Sequence, residues 1–323
     1  LLIWYIQAIA LYKTDRENIK RYIIIIIMPI RLFHIGFERG YPGFSKSNIL
    51  SQFFPNAEDK IVDNIDIANV LVIGNFVQQS DMYSILNFKG IRIIYISEPI
   101  GRFAFSQYSD TLFKNDLYHY CIGSISYKPG RWIKYPIYFN QNIDYKAVNT
   151  YISTCSLKEK QFCTLISRHD SGNTRIPIIT ELSKRFHVSC PGKLANNCSN
   201  EELNRIGNAE YIKKFVFHIC SENFGECHPG YITEKLMNCC LGGAIPIYFG
   251  NLDSIDQKIF NKNRILFLNY NNVEEVAKRV FTMCDNMELL EEFYRQPAFM
   301  DSAESTMKEI GIGVRNFFSS LNV

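Results

Sequence analysis

From Pro29 onward, short apolar runs alternate with amphipathic stretches and polar turns. The runs Arg31–Phe37, Asn69–Phe76, Ile91–Ile96 and Tyr118–Ile125 are largely continuous, which predicts parallel strands covered on both faces. Lys46–Phe54 and Gln79–Phe88 predict intervening helices, and Trp132–Phe139 closes this half. The polar stretch Asn140–Lys158 then predicts a domain boundary. Beyond it the alternation resumes with strand Gln161–Ser167, loop Arg168–Thr174, helix Arg175–Phe186, strand His187–Cys190 and helix Asn200–Ile206. Near the C-terminus, strand Arg264–Leu268 precedes helices from Val273 to about Met283, over Glu288–Tyr294 and over Ser302–Leu321. The expected fold class is α/β, with domains at 28–145 and 146–323.

One stretch, Lys213–Asn251, concentrates the candidate chemistry. Phe215–Cys220 reads as a buried strand, Ser221–Gly230 as a turn-rich loop, Tyr231–Cys240 as a helix and Ala244–Phe249 as a second strand. Such βαβ units bind ligands at the strand's carboxyl end, against the helix start. Glu222 and Asn223 fall just past the strand, and Tyr231, Glu234 and Lys235 are expected in the first helical turn. Helix-start N–H groups attract phosphate, Lys235 adds a full charge, and the Glu234 carboxylate suits sugar hydroxyls. An isolated Thr-Glu-Lys triplet would more commonly cap a helix or face solvent.

The whole stretch is more specific. Glu222-Asn223, Gly230-Tyr231-Ile232-Thr233-Glu234-Lys235 and Gly243-Ala244-Ile245-Pro246-Ile247-Tyr248-Phe249-Gly250 closely resemble the donor signature of the α1,3/α1,4-fucosyltransferases, glycosyltransferase family 10. The resemblance covers roughly two thirds of the chain loosely and is tight only over Cys163–Gly250. It implies a GT-B architecture, two Rossmann-like domains facing a cleft with a C-terminal helix, and transfer of fucose from GDP-fucose to a glycan hydroxyl. It also implies inversion at the anomeric centre by direct displacement, an oligosaccharide or glycoconjugate acceptor, and no required cofactor.

Further elements follow the family order. Ser167, Ser171 and Asn173 before Arg175 resemble its Ser…Arg element, implying that Arg175 contacts the diphosphate, where a guanidinium binds bidentately. Cys190-Pro191-Gly192-Lys193 with Asn196-Asn197, and Pro136 in Trp132–Phe139, also resemble family patterns. Glu98, at the end of strand Ile91–Ile96, stands where the family places a Glu and is the candidate general base. Its neighbours depart: Ser97-Glu98-Pro99 replaces Gly-Glu-Asn, and Gly101-Arg102-Phe103 replaces Pro-Asp-Phe. That leaves two other readings open, a non-catalytic glycan or nucleotide binder and a transferase using another GDP-sugar.

Composition narrows the partners. With 35 Lys+Arg against 32 Asp+Glu among 323 residues, no basic excess points to nucleic acid. No Asp-x-Asp occurs and the six histidines lack ligand spacing, so no metal site is expected and diphosphate charge falls to side chains and a helix dipole. His218 is expected in the core, and His228 lies in the donor loop. The ten cysteines form no Cys-x-x-Cys and are expected as buried free thiols. Residues 1–27 carry two apolar runs split by Lys13–Arg21, each shorter than the roughly 18–20 residues that cross a bilayer. They are expected to be upstream translation or a degenerate anchor. The expected location is cytoplasmic if Met28 is the start and the Golgi membrane if residues 1–30 form an anchor.

Overall fold

A computed structural model describes residues 29–37, 60–96, 107–124, 130–139, 142–224 and 229–321. Residues 1–27, the helix expected at Lys46–Phe54, and Glu98 and His228 lie outside the described residues. Among the described residues the strands form two parallel sheets of five strands each. By contacts the chain divides into two compact units, one of residues 1–95, 104–120 and 315–323, the other of 96–103 and 121–314.

In the first unit, β1 (Leu32–Ile35), β2 (Val70–Ile73) and β3 (Ile91–Ile96) pair in parallel, with Leu32 opposite Val70 and Val70 opposite Ile91. All four residues of β2 are buried, as its unbroken apolar run requires of a strand covered on both faces. Helices α1 (Gln79–Asn87) and α2 (Gln107–Lys114) accompany these strands. A Cβ on Gly74 would lie 2.6 Å from the Gly36 carbonyl oxygen, so the chain there passes too close for a side chain.

The second unit holds the pair β4 (Tyr120–Gly123) and β5 (Trp132–Lys134) over most of their length, then helix α3 (Tyr145–Thr154). That helix occupies the stretch expected to be a linker. Asp144 caps it by accepting the Ala147 N–H at 2.9 Å, and Tyr145 and Ile152 are buried, so its polar composition belongs to the exposed face.

Its main sheet comprises β6 (Gln161–Thr164), β7 (Val188–Ser189), β8 (Phe215–Ser221), β9 (Ile245–Phe249) and β10 (Leu266–Phe267), in the order β10-β9-β8-β6-β7. The connecting helices are α4 (Arg175–Leu182), α5 (Glu201–Ile206), α6 (Asn208–Ile212) and α7 (Glu234–Leu241). Helices α8 (Val273–Asp285), α9 (Met287–Tyr294) and α10 (Ala303–Ser320) follow. Several expected elements are shorter than their apolar runs. The helix expected from Tyr231 starts at Glu234, because Thr233 caps it, and α4 stops at Leu182 rather than Phe186.

Candidate active site

Every residue of β8 is buried, and its pairing with β9 runs from Phe217–Ile245 to Ser221–Phe249. The Glu222 N–H extends this ladder by donating to Phe249 O at 2.9 Å, which delivers the Glu222 side chain from the carboxyl end of the central strand. The carboxylate is 0% exposed. Oε1 accepts the Thr233 N–H at 2.8 Å and the Tyr248 hydroxyl at 3.5 Å, and Oε2 accepts the Thr233 hydroxyl at 2.6 Å and the Lys235 ammonium at 3.4 Å. Four donors surround a buried charge, the arrangement that makes one tolerable. Glu222, expected to contact the donor, is instead enclosed by Thr233, Lys235 and Tyr248.

Thr233 is the N-cap of α7, accepting the Lys235 N–H at 3.4 Å and the Lys235 ammonium at 2.9 Å. Lys235 keeps 26% of its side chain exposed and stands at the start of the helix. Burial works against its charge, but the Glu222 and Glu234 carboxylates outweigh that and hold its pKa above the ordinary lysine value. Glu234 faces solvent with its carboxylate 3.9 Å from Lys235, available to accept hydroxyls. Tyr231 is 2% exposed and precedes the helix rather than lying in its first turn, so it forms part of the floor. A cavity of about 70 Å³ flanks Lys235, bounded also by Ile166, Asn208, His218, Glu234 and Asn238.

Arg175 enters from α4 and is 1% exposed. It donates to His169 O, to Ser221 O at 2.6 Å and to Asn223 Oδ1 at 3.0 Å, tying the loop after β6 to the loop after β8. Burial lowers its pKa, opposed by Asp170, Glu222 and Tyr231. The guanidinium thus holds Asn223 and the two loops rather than presenting an open fork. Asp170 caps α4 through the N–H groups of Thr174, Arg175 and Ile176, at 3.2, 3.0 and 3.0 Å. That helix start is filled by the protein's own carboxylate. His169 registers the local potential, its pKa lowered by burial and then by Arg175, Lys235 and Arg168.

The Cys190–Asn197 element is a structural corner. A Cβ on Gly192 would lie 2.1 Å from Ser167 O, so only glycine lets this loop seat on the β6 loop. Asn197 accepts the Cys190 N–H and donates to Val188 O, both at 2.8 Å, which commits the amide of the Asn197-Cys198-Ser199 sequon to the fold.

Among the described residues, no group of three or more His, Cys, Asp or Glu is placed to hold a metal ion, nine cysteines are free thiols, and no helix is long and apolar enough to cross a membrane. Sequence reasoning singled out the Lys235 corner but missed Thr233 and Tyr248 as its supports, and Asp170 as the cap of α4. A Thr directly before Glu-Lys is an N-cap signal that would have found Thr233.

This corner, with a capped lysine beside a buried Glu at the end of the central strand, lies inside a segment with recognisable kin. Residues 155–310 match the model of the C-terminal part of glycosyltransferase family 10, the fucosyltransferases. Over that segment the chain is similar to glycosyltransferase family 10. Among family relatives it is similar to the 4-galactosyl-N-acetylglucosaminide 3-alpha-L-fucosyltransferase 9 of Cricetulus griseus, 29% identical over 133 residues. That match spans 41% of this chain and 35% of the relative, so the chain covers about a third of that protein's length. A protein of Acanthamoeba polyphaga mimivirus, named only provisionally as a fucosyltransferase, is 24% identical over 291 residues, 84% of this chain and 44% of its own. The crystal structure of an alpha1,3-fucosyltransferase with GDP-fucose superposes with a TM-score of 0.61 at 13% identity, covering 96% of this chain and 95% of that one. At that identity the likeness establishes the fold alone, which is GT-B.

Proposed function

We propose that the protein is an inverting, metal-independent fucosyltransferase that moves fucose from GDP-fucose to a hydroxyl of a glycan acceptor, with an α1,3 linkage. The observation that carries this reading is the Glu222–Thr233–Lys235 constellation. It fixes a partly exposed ammonium at a helix start, inside the segment that matches the family. A diphosphate needs full charge and backbone donors together as it departs, and this corner supplies both.

In this reading Lys235 neutralises the leaving diphosphate, and Glu234 accepts donor hydroxyls. Arg175 and Asn223 hold the loops that close over the nucleotide. The acceptor hydroxyl attacks the anomeric carbon of fucose as the bond to GDP breaks, and Glu98 takes the hydroxyl proton. We place the acceptor on the first unit, where a cavity of about 500 Å³ opens beside β1. Its lining includes Phe33, His34, Asp63, Phe76, Gln78 and Asp81, aromatic faces and hydrogen-bonding groups that suit a sugar.

The test is a thermal-shift comparison of GDP-fucose, GDP, GDP-mannose and UDP-glucose, since a ligand of the folded state alone raises apparent stability. Stabilisation by GDP and GDP-fucose that Lys235→Ala abolishes supports the reading. Equal or stronger stabilisation by GDP-mannose changes the donor, and no response to guanine nucleotides from folded protein overturns the assignment.

A further inference from the structure

Beside the donor corner, within the same compact unit, lies a buried ionic cluster that the proposed chemistry does not use. Lys134, the last residue of β5, places its ammonium 2.8 Å from Asp253 Oδ2 and 3.0 Å from the Asp256 carboxylate. Tyr138 donates its hydroxyl to Asp256 Oδ1 at 2.5 Å. The aspartates brace each other's turn, Asp256 N–H donating to Asp253 Oδ1 at 2.9 Å and Asp253 N–H to Asp256 Oδ2 at 3.1 Å. The Lys134 and Asp256 side chains are only 5% and 0% exposed. Buried ion pairs are often no more stabilising than apolar side chains of the same volume, so stability alone is a weak reason for this one.

What the cluster touches supplies a better reason. Gly230 has φ 89°, and a Cβ there would lie 2.6 Å from Asp253 Oδ2 and 3.0 Å from Lys134 Nζ. Its N–H donates to Asn251 O at 2.9 Å. Three residues on, Thr233 is held by Glu222, and Tyr231 and Ile232 between them are buried. The segment is therefore seated at one end against the Lys134–Asp253 pair and bonded at the other to Glu222, and it leads directly into α7 and Lys235.

We propose that Lys134, Asp253, Asp256 and Tyr138 are positioning residues that fix the Gly230–Thr233 segment and, through it, set the Lys235 ammonium for the donor diphosphate. The proposal deepens the donor reading above and rests on it. Titration gives a second signature. The titratable groups facing Asp256 are Lys134 and Tyr138 from β5 and the turn after it, Asp253 from its own turn and Tyr248 from β9. Burial, with Asp253, raises the Asp256 pKa to about 7 against the pull of Lys134 and Tyr138, so the cluster gains a negative charge as pH rises through neutrality. That charge disfavours a bound diphosphate.

The experiment is calorimetric titration of GDP into wild type, Lys134→Met, Lys134→Arg and Asp256→Asn between pH 6 and 8. Hydrogen exchange of the Tyr231–Lys235 amides is followed in the free proteins. Lys134→Met is expected to lose roughly tenfold in GDP affinity and to speed that exchange, with partial recovery in Lys134→Arg. Asp256→Asn, nearly isosteric, keeps the fold testable if Lys134→Met does not express, and should flatten the pH dependence relative to wild type. Folded variants with wild-type affinity, pH profile and exchange overturn the proposal alone. A wild-type protein that binds no GDP overturns the donor reading and this proposal together.

Discussion

The Thr233 hydroxyl donates to Glu222 Oε2 at 2.6 Å while accepting from the Lys235 ammonium at 2.9 Å, so one side chain passes the orientation of a buried carboxylate to a partly exposed cation. A hydroxyl has one proton and two lone pairs, and here the proton and both acceptor sites are used, by Glu222, by the Lys235 N–H and by the ammonium. Three residues from two elements behave as one unit at the carboxyl end of β8.

Replacing Glu222 by Gln tests that unit. The shape is kept, but an NH2 group must face donors on Thr233, Tyr248 or Lys235, and one buried donor loses its acceptor. A loss of about 2–4 kcal/mol in unfolding free energy is expected. Urea denaturation would read it, and a loss below about 0.5 kcal/mol would mean that Glu222 does not anchor the corner.

Lys235→Ala should weaken both binding and stability. The ammonium is the cation that faces the buried Glu222 carboxylate, so the melting temperature should fall while the protein still folds, and GDP affinity should fall roughly 10–100-fold, the scale of one lost charge-assisted contact. Because its pKa lies above the ordinary lysine value, the ammonium stays charged across neutral and mildly alkaline pH and is lost only beyond the lysine range. The Lys235 contribution to GDP affinity should therefore be flat from pH 6 to 9. Equal affinity in wild type and variant would remove Lys235 from the donor site.

The sequence shows this corner clearly because its signals are local. A seven-residue apolar strand, a glycine-punctuated loop and an amphipathic helix follow one another, and the motif residues lie within that span. The supports come from further away: Tyr248 reaches Glu222 across 26 positions and Asp256 meets Lys134 across 122. No periodicity reports such pairings. The α3 region read as a linker because its composition is polar, although Tyr145 and Ile152 are buried; two anchors in ten residues make a weak apolar stripe. For Arg175 the sequence carries the charge but not the two carbonyl oxygens and the Asn223 amide that take three of its five N–H donors.

Catalysis should not need a divalent ion if Lys235 and the α7 start carry the leaving-group charge. Transfer from GDP-fucose is expected to survive excess EDTA, and Glu98→Gln should reduce kcat by roughly 100-fold or more, the usual scale of a lost general base. GDP affinity should stay unchanged in that variant. Full activity in Glu98→Gln would assign the base elsewhere, and loss of activity in EDTA restored by a metal would replace the side-chain account of the leaving group.

Acid sensitivity follows from His218. Its imidazole is 4% exposed inside β8, and Nδ1 lies 3.0 Å from Thr164 O. Burial pulls its pKa from the ordinary value of 6.5 down to about 4, against the pull of that backbone contact. The folded state therefore binds fewer protons than the unfolded chain between those two values. The stabilisation is complete above pH 6.5 and fades as pH falls towards 4. At 1.36 kcal/mol per unit the full effect is about 3 kcal/mol. A His218→Gln variant should start less stable at pH 7 yet lose less between pH 6.5 and 4.5, so the two denaturation midpoints converge on acidification. Parallel curves would mean that His218 is not the group that titrates. Because β8 carries Glu222 at its end, the donor corner should loosen along with this strand, and the wild-type GDP response should weaken over the same range.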